Sequence, residues 1–138
     1  MKANELMIGD WVECVDSTHK KKVYAQIDAI EEGQTCILVK LDNCNWFLDI
    51  SFIKPIPLEK IHLAKNRFTA DEEDETFIYE DGYEVRVTFD GGCKELELEP
   101  YIYLNINFAE KHLSMEIENL HQLQQAMRIM GCDKEIEL

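Results

Sequence analysis

The chain predicts an α+β fold: a small SH3-like β-barrel over residues 1–56, then an antiparallel sheet of about four strands packed with two helices over residues 57–138. Three observations predict it. Residues 1–54 alternate apolar and polar side chains with a period of two, broken by short turns. Pro55 and Pro57 interrupt that pattern just ahead of the first segment with helical spacing. Charge also divides there: residues 1–56 hold 6 Lys and Arg against 9 Asp and Glu, residues 57–138 hold 8 against 19.

In the first unit, "IGDWVECV" opens with Gly9-Asp10 as a turn before a strand carrying Trp11, Val12 and Val15. "KKVYAQIDAIEE" sets Val23, Ala25, Ile27 and Ala29 on one face. Gly33 turns the chain into "TCILVKL", and "DNCN" separates that run from "WFLDI". Four or five short strands joined by tight turns are the pattern of a small barrel.

In the second unit, "LEKIHLAKNRF" puts Leu58, Ile61 and Ala64 or Lys65 at helical spacing, with Asn66 as a left-handed cap. The acidic run in "TADEEDET" is expected to be a solvated loop, because a calcium loop needs alternating oxygen ligands, a glycine and a distal glutamate. "TFIYEDGYEVRVTF" carries Asp81-Gly82, a two-residue hairpin signal. "CKELELE" and "YIYLNINF" complete a four-strand meander, a second helix follows, and "KEIEL" adds a terminal strand.

That second helix, "ENLHQLQQAMRIMG", explains most of its own letters. Asn119 caps its start and Gln122 reaches back from three residues on. Gly131 suits the position past its end, and Arg128 complements the dipole in the last turn. Leu120, Leu123, Ala126, Met127 and Met130 fall within an arc of about 120°. His121, Gln125 and Arg128 share the opposite flank, so His121 is expected at the surface or at its boundary.

A net charge of −14 repels phosphate backbones and anionic lipid, so direct nucleic-acid and membrane binding are not expected. "KKK" at 20–22 is the only basic cluster, and it reads as a solvated charge run beside a hairpin. The five cysteines lie far apart without a C-x-x-C pair, which argues against a disulfide framework and a zinc site. No run is long enough to span a bilayer, and the start "MKANELMIGDW" lacks a secretory signal. A cytoplasmic protein with reduced thiols is the expectation. Nucleotide-loop, dinucleotide, zincin and serine-elbow motifs are all missing, so no cofactor, metal or catalytic residue is assigned and the protein is not expected to be an enzyme. "FDGGC" has two glycines after a strand, but no helix follows to present amides to a phosphate.

Three segments carry a resemblance. "MKANELMIGDWV" is similar to an M-K-A-x-E-L-R-I-G-N-W-V opening. "IPLEKIHLAKNRF" is similar to I-P-L-T-E-E-x-L-x-K-x-G-F. "LHQLQQAMRIMG" is similar to Y-V-H-Q-L-Q-N-L-Y-F-A-L-T-G-E-E-L. Together, and in this order, they resemble a group of small uncharacterised proteins from prophages and other mobile elements of gut bacteria. Met7 and Asp10 depart from the pattern's Arg and Asn, Arg67 stands where it has glycine, and Gly131 falls one position early. The resemblance implies an architecture and a genomic setting, and it brings no established activity.

The expected function is therefore that of a non-enzymatic accessory protein of a mobile element or phage, binding a protein partner. Trp11, Trp46 and Phe47 are candidates for an aromatic cleft, against the plainer expectation that at least one tryptophan fills the barrel core. His121, Gln125 and Arg128 are candidate contacts on the helix flank. Two other functions compete. One is an acidic decoy that mimics DNA and inhibits a host DNA-binding protein; the other is a small hydrolase or ligand-binding protein using His121 or His112 in a pocket.

Overall fold

A computed structural model describes residues 2, 5–15, 21–31, 33, 36–41, 44–71 and 75–138. Lys20 of the basic cluster and Glu72 to Asp74 of the acidic run lie outside the described residues. The chain forms two compact units, Met1–Pro57 and Leu58–Leu138.

The first unit is an antiparallel sheet of β1 (Trp11–Val15), β2 (Lys22–Ile30), β3 (Cys36–Leu41), β4 (Cys44–Asp49) and β5 (Ile53–Pro55), in the order β4-β3-β2-β1-β5. Its inner face gathers Val12, Cys14, Ala25, Ile27, Ile37, Val39 and Ile53, with Trp46 and Leu48 packed alongside. Burying a side chain such as Ile27 or Ile37 stabilises by about 1.5–3 kcal/mol, which pins the register. Asp10 is fully buried ahead of β1 and accepts the Met7 N–H at 2.8 Å, while Gly9 takes φ +90°. The Gly9 N–H donates to the Ile27 carbonyl, which ties this turn to β2.

The second unit contains α1 (Lys60–Lys65), β6 (Thr69–Asp71), β7 (Thr76–Glu80), β8 (Glu84–Asp90), β9 (Tyr101–Phe108), β10 (Lys111–Ile117) and α2 (Leu120–Ile129). Its sheet runs β10-β9-β8-β7-β6, antiparallel throughout. Phe77, Val85, Val87, Leu104, Ile106 and Ile117 alternate onto one buried face. Helix α2 buries Leu120, Leu123, Ala126 and Met127 and contacts β10. Lys60 of α1 lies over the Phe89 ring, and Phe68, just beyond α1, meets Tyr79.

Both helices are closed by hydrogen bonds that satisfy their end groups. The Asn119 N–H donates to Gln122 Oε1 at 2.9 Å, and the Glu59 N–H donates to His62 Nδ1 at 3.0 Å. At the α2 end, Gly131 takes φ +83°, its N–H reaches the Arg128 carbonyl and the Cys132 N–H reaches that of Met127. The same pair of bonds ends α1, from Arg67 to Ala64 and from Phe68 to Leu63. There the left-handed residue is Arg67, at φ +66°, and not Asn66, at φ −100°.

Several expectations are corrected. The chain is mostly β, not α+β: ten strands and two α-helices are seen among the described residues. The first sheet is open and is not an SH3-like barrel, for β4 and β5 stand at its two ends and do not pair. Alternation along a strand is the same in an open and a closed sheet, so the pattern could not decide closure. A register shift between Ile27 and Ala29 also ends the single face expected for β2. The second sheet has five strands because Thr69–Asp71 adds one edge and Lys111–Ile117, a segment not expected as a strand, adds the other. "CKELELE" contributes only a bridge between Cys93 and Leu98, and its Leu96 and Leu98 are 71% and 57% exposed, with no buried face to hold a strand. "KEIEL" forms no strand. Asn66 instead holds it with its side chain, accepting the Glu137 N–H at 2.7 Å and donating to the Glu137 carbonyl at 2.8 Å.

Candidate interaction surface

The face of the second sheet opposite the buried one is polar and mostly exposed. Alternation and register place on it Glu80 from β7, Glu84, Arg86, Thr88 and Asp90 from β8, Asn105 and Asn107 from β9, and His112, Ser114 and Glu116 from β10. Tyr101 and Tyr103 stand exposed among them, and Asp71 lies at the β6 edge. The strands of this face thus carry five carboxylates and one arginine, Arg86, which is engaged with Glu84 at 3.4 Å, while Arg67 stands with Asp71 and Glu80 at the β6–β7 edge. A hydrogen bond to Asp90 raises the Tyr101 hydroxyl pKa above its ordinary value. Near the β6–β7 edge a cleft of about 380 Å³ is lined by Arg67, Thr69, Asp71, Ile78 and Glu80.

At the β9–β10 end, four side chains form a hydrogen-bonded array. The register sets His112 opposite Asn107 and Ser114 opposite Asn105. His112 Nδ1 is 2.6 Å from Asn107 Oδ1, and His112 Nε2 is 2.7 Å from Ser114 Oγ. Ser114 Oγ is also 2.7 Å from Asn105 Oδ1, to which it donates. Strand periodicity puts residues 112 and 114 on one face, and the short turn at 109–110 sets the partner strand in step.

Within the first unit, the three aromatic candidates do not converge. Trp46 turns to the inner face of the first sheet and packs against the core, whereas Trp11 and Phe47 lie on the outer face, Phe47 being 65% exposed. Trp11 sits on β1 and Phe47 on β4, three strands apart, or about 14 Å at the usual strand spacing. Trp11 does line a cleft of about 650 Å³ with Tyr24, Gln26, Lys40 and Cys44. Tyr24, exposed beside it, was not among the expected residues.

On α2, His121 is only 5% exposed, Gln125 is half-buried and Arg128 is exposed, so the flank is not a uniform wet surface. Gln124 is buried with His121, so at 100° per residue the buried arc spans about 220°, well beyond the expected stripe. His62 is buried too, and desolvation lowers its pKa below the ordinary imidazole value. Its Nδ1 serves the start of α1, a capping role ordinarily taken by Glu or Gln and so hidden from a search for capping boxes.

Among the described residues, no group of three or more His, Cys, Asp or Glu is placed to hold a metal ion. Among the same residues, no helix is long and apolar enough to cross a membrane. No family model, curated protein or solved structure matches the chain.

Proposed function

We propose that the protein is an accessory protein of a bacterial mobile element that works in the cytoplasm and binds a protein partner with a basic surface. The observation that carries this reading is the open face of the second sheet, where Asp71, Glu80, Glu84, Asp90 and Glu116 outnumber Arg86 and, at the β6–β7 edge, Arg67. A basic segment laid on that face gains charge complementarity that neutral or acidic partners lack. The free thiols of all five cysteines fit a reducing compartment.

The resemblance to mobile-element proteins gains support from what its residues do. Asp10 accepts a backbone N–H, as the asparagine of the pattern would, and Arg67 holds the left-handed conformation where the pattern has glycine. These positions build turns and caps, so the shared pattern describes a scaffold and not an active site.

The test is capture of partners from a native lysate by the wild type and by the Glu84→Lys, Glu116→Lys double variant. The expected result is a basic protein retained by the wild type, released as salt rises to about 0.5 M, and lost with the variant. Retention that ignores both salt and charge reversal would sink the proposal. Displacement of the captured protein by duplex DNA would assign the acids instead to DNA mimicry.

A further inference from the structure

The array on β9 and β10 has the connectivity of an activated nucleophile. A hydroxyl within hydrogen-bond reach of an imidazole nitrogen, whose other nitrogen is held by an amide oxygen, is the nucleophile–base–orienter arrangement. Ser114 Oγ to His112 Nε2 at 2.7 Å and His112 Nδ1 to Asn107 Oδ1 at 2.6 Å meet that geometry. With the Asn107 amide oriented so that Oδ1 faces the ring, Nδ1 carries hydrogen toward it, and in the tautomer with hydrogen on Nδ1 alone Nε2 presents a lone pair to the hydroxyl.

Asn105 completes the chemistry. The one Ser114 hydrogen is contested by His112 Nε2 and by Asn105 Oδ1. A half-turn of the Asn105 amide puts Nδ2 against Oγ, and the hydroxyl hydrogen is then left to Nε2.

We propose that Ser114 is an activated nucleophile that accepts one acyl group from a neutral activated ester, with His112 as its base and Asn107 as the residue that positions the ring. Oγ attacks the ester carbonyl carbon while its proton passes to Nε2. The tetrahedral intermediate collapses with cleavage of the bond to the leaving oxygen, which takes the proton from Nε2. The products are O-acyl Ser114 and the free phenol or alcohol. Glu84 lies beyond Asn107 on the next strand and Glu116 is two residues from Ser114, so anionic donors such as phosphoanhydrides and nucleotide thioesters are repelled.

The experiment treats the full chain briefly with p-nitrophenyl acetate and, in parallel, with a neutral fluorophosphonate whose serine adduct does not turn over. Peptide mass mapping then reads Ser114 against Ser51, an exposed serine in a surface turn that serves as the internal reference. Ser114 is expected to be modified about 10²–10⁴-fold faster than Ser51, the usual contribution of a general base. His112→Ala should abolish that advantage. Asn107→Leu should reduce it at least tenfold, and Asn107→Asp, which keeps an acceptor for Nδ1–H, should restore it. Circular dichroism checks each variant for folding, which these exposed positions should not disturb. Modification of Ser114 no faster than Ser51 by either reagent, or an advantage that survives His112→Ala, overturns the proposal.

Discussion

Replacing Asn66 by alanine tests how the last residues of the chain are held. Asn66 is buried, and its Nδ2 donates to the His62 carbonyl at 2.7 Å and to the Glu137 carbonyl at 2.8 Å, while its Oδ1 accepts the Glu137 N–H. The bond to His62 closes the end of α1 inside the protein, and its loss costs about 1–1.5 kcal/mol. Glu137 is exposed, so water replaces part of what is lost there, and each of its two bonds contributes about 0.5–1 kcal/mol. The sum is about 2–3.5 kcal/mol. If Ile136 leaves its buried position with the segment, about 1.5–3 kcal/mol is added.

Urea unfolding gives the energy, but both tryptophans lie in residues 1–57 and their fluorescence does not report on this unit. Circular dichroism and amide exchange are the suitable readouts. The Glu137 amide should lose its protection in Asn66→Ala, whereas Glu137→Ala, which leaves the backbone bonds in place, should stay within about 0.5 kcal/mol of wild type. A fully stable Asn66→Ala with Glu137 still protected would refute the reasoning.

Arg67→Gly should stabilise the protein by about 0.5–1 kcal/mol in urea unfolding, because relief of the left-handed strain exceeds the backbone entropy that glycine adds. Gly92→Ala should destabilise it measurably, since a Cβ there meets the Leu98 carbonyl oxygen and sits 2.7 Å from the Glu99 carbonyl carbon. For His62, burial lowers the folded pKa, so the unfolded chain takes up a proton first. Its contribution to stability is whole above pH 6.5, falls as pH drops below that value, and levels off under the lowered folded pKa. Thermal melts of His62→Gln, which keeps a capping acceptor but does not titrate, should lose that part of the acid dependence. Exposed Cys44 should react with a thiol reagent in the native state, while Cys14, with its thiol pushed up to about 11 by burial, should react only on unfolding.

Local signals told the truth where one or two residues decide the outcome. Asn119 with Gln122 gave the start of α2, and Gly131 its end. The Asp81-Gly82 turn was readable, although the loop includes Tyr83 because Glu80 pairs with Glu84. What could not be read depends on which face meets a core and on the register in which strands pair. "KELELE" alternates as a strand does, yet alternation holds a strand only when one of its faces meets a core. Ser114 and His112 are ordinary letters until β9 pairs in one particular register, and a slip by one residue would carry Asn105 and Asn107 to the other face. His121 is drawn inside because α2 sinks more than half its circumference, a depth its own apolar stripe does not encode.

The hold of Asn66 on Glu137 makes residues 132–138 a ligand tethered to its own receptor. Ile136 is the anchor, and Tyr83 supplies a second grip by accepting the Lys134 N–H at 3.1 Å and donating to Asp133. A short tether supplies an effective concentration on the order of millimolar. A chain cut after Gly131 should therefore recover its lost stability only with millimolar amounts of the matching heptapeptide.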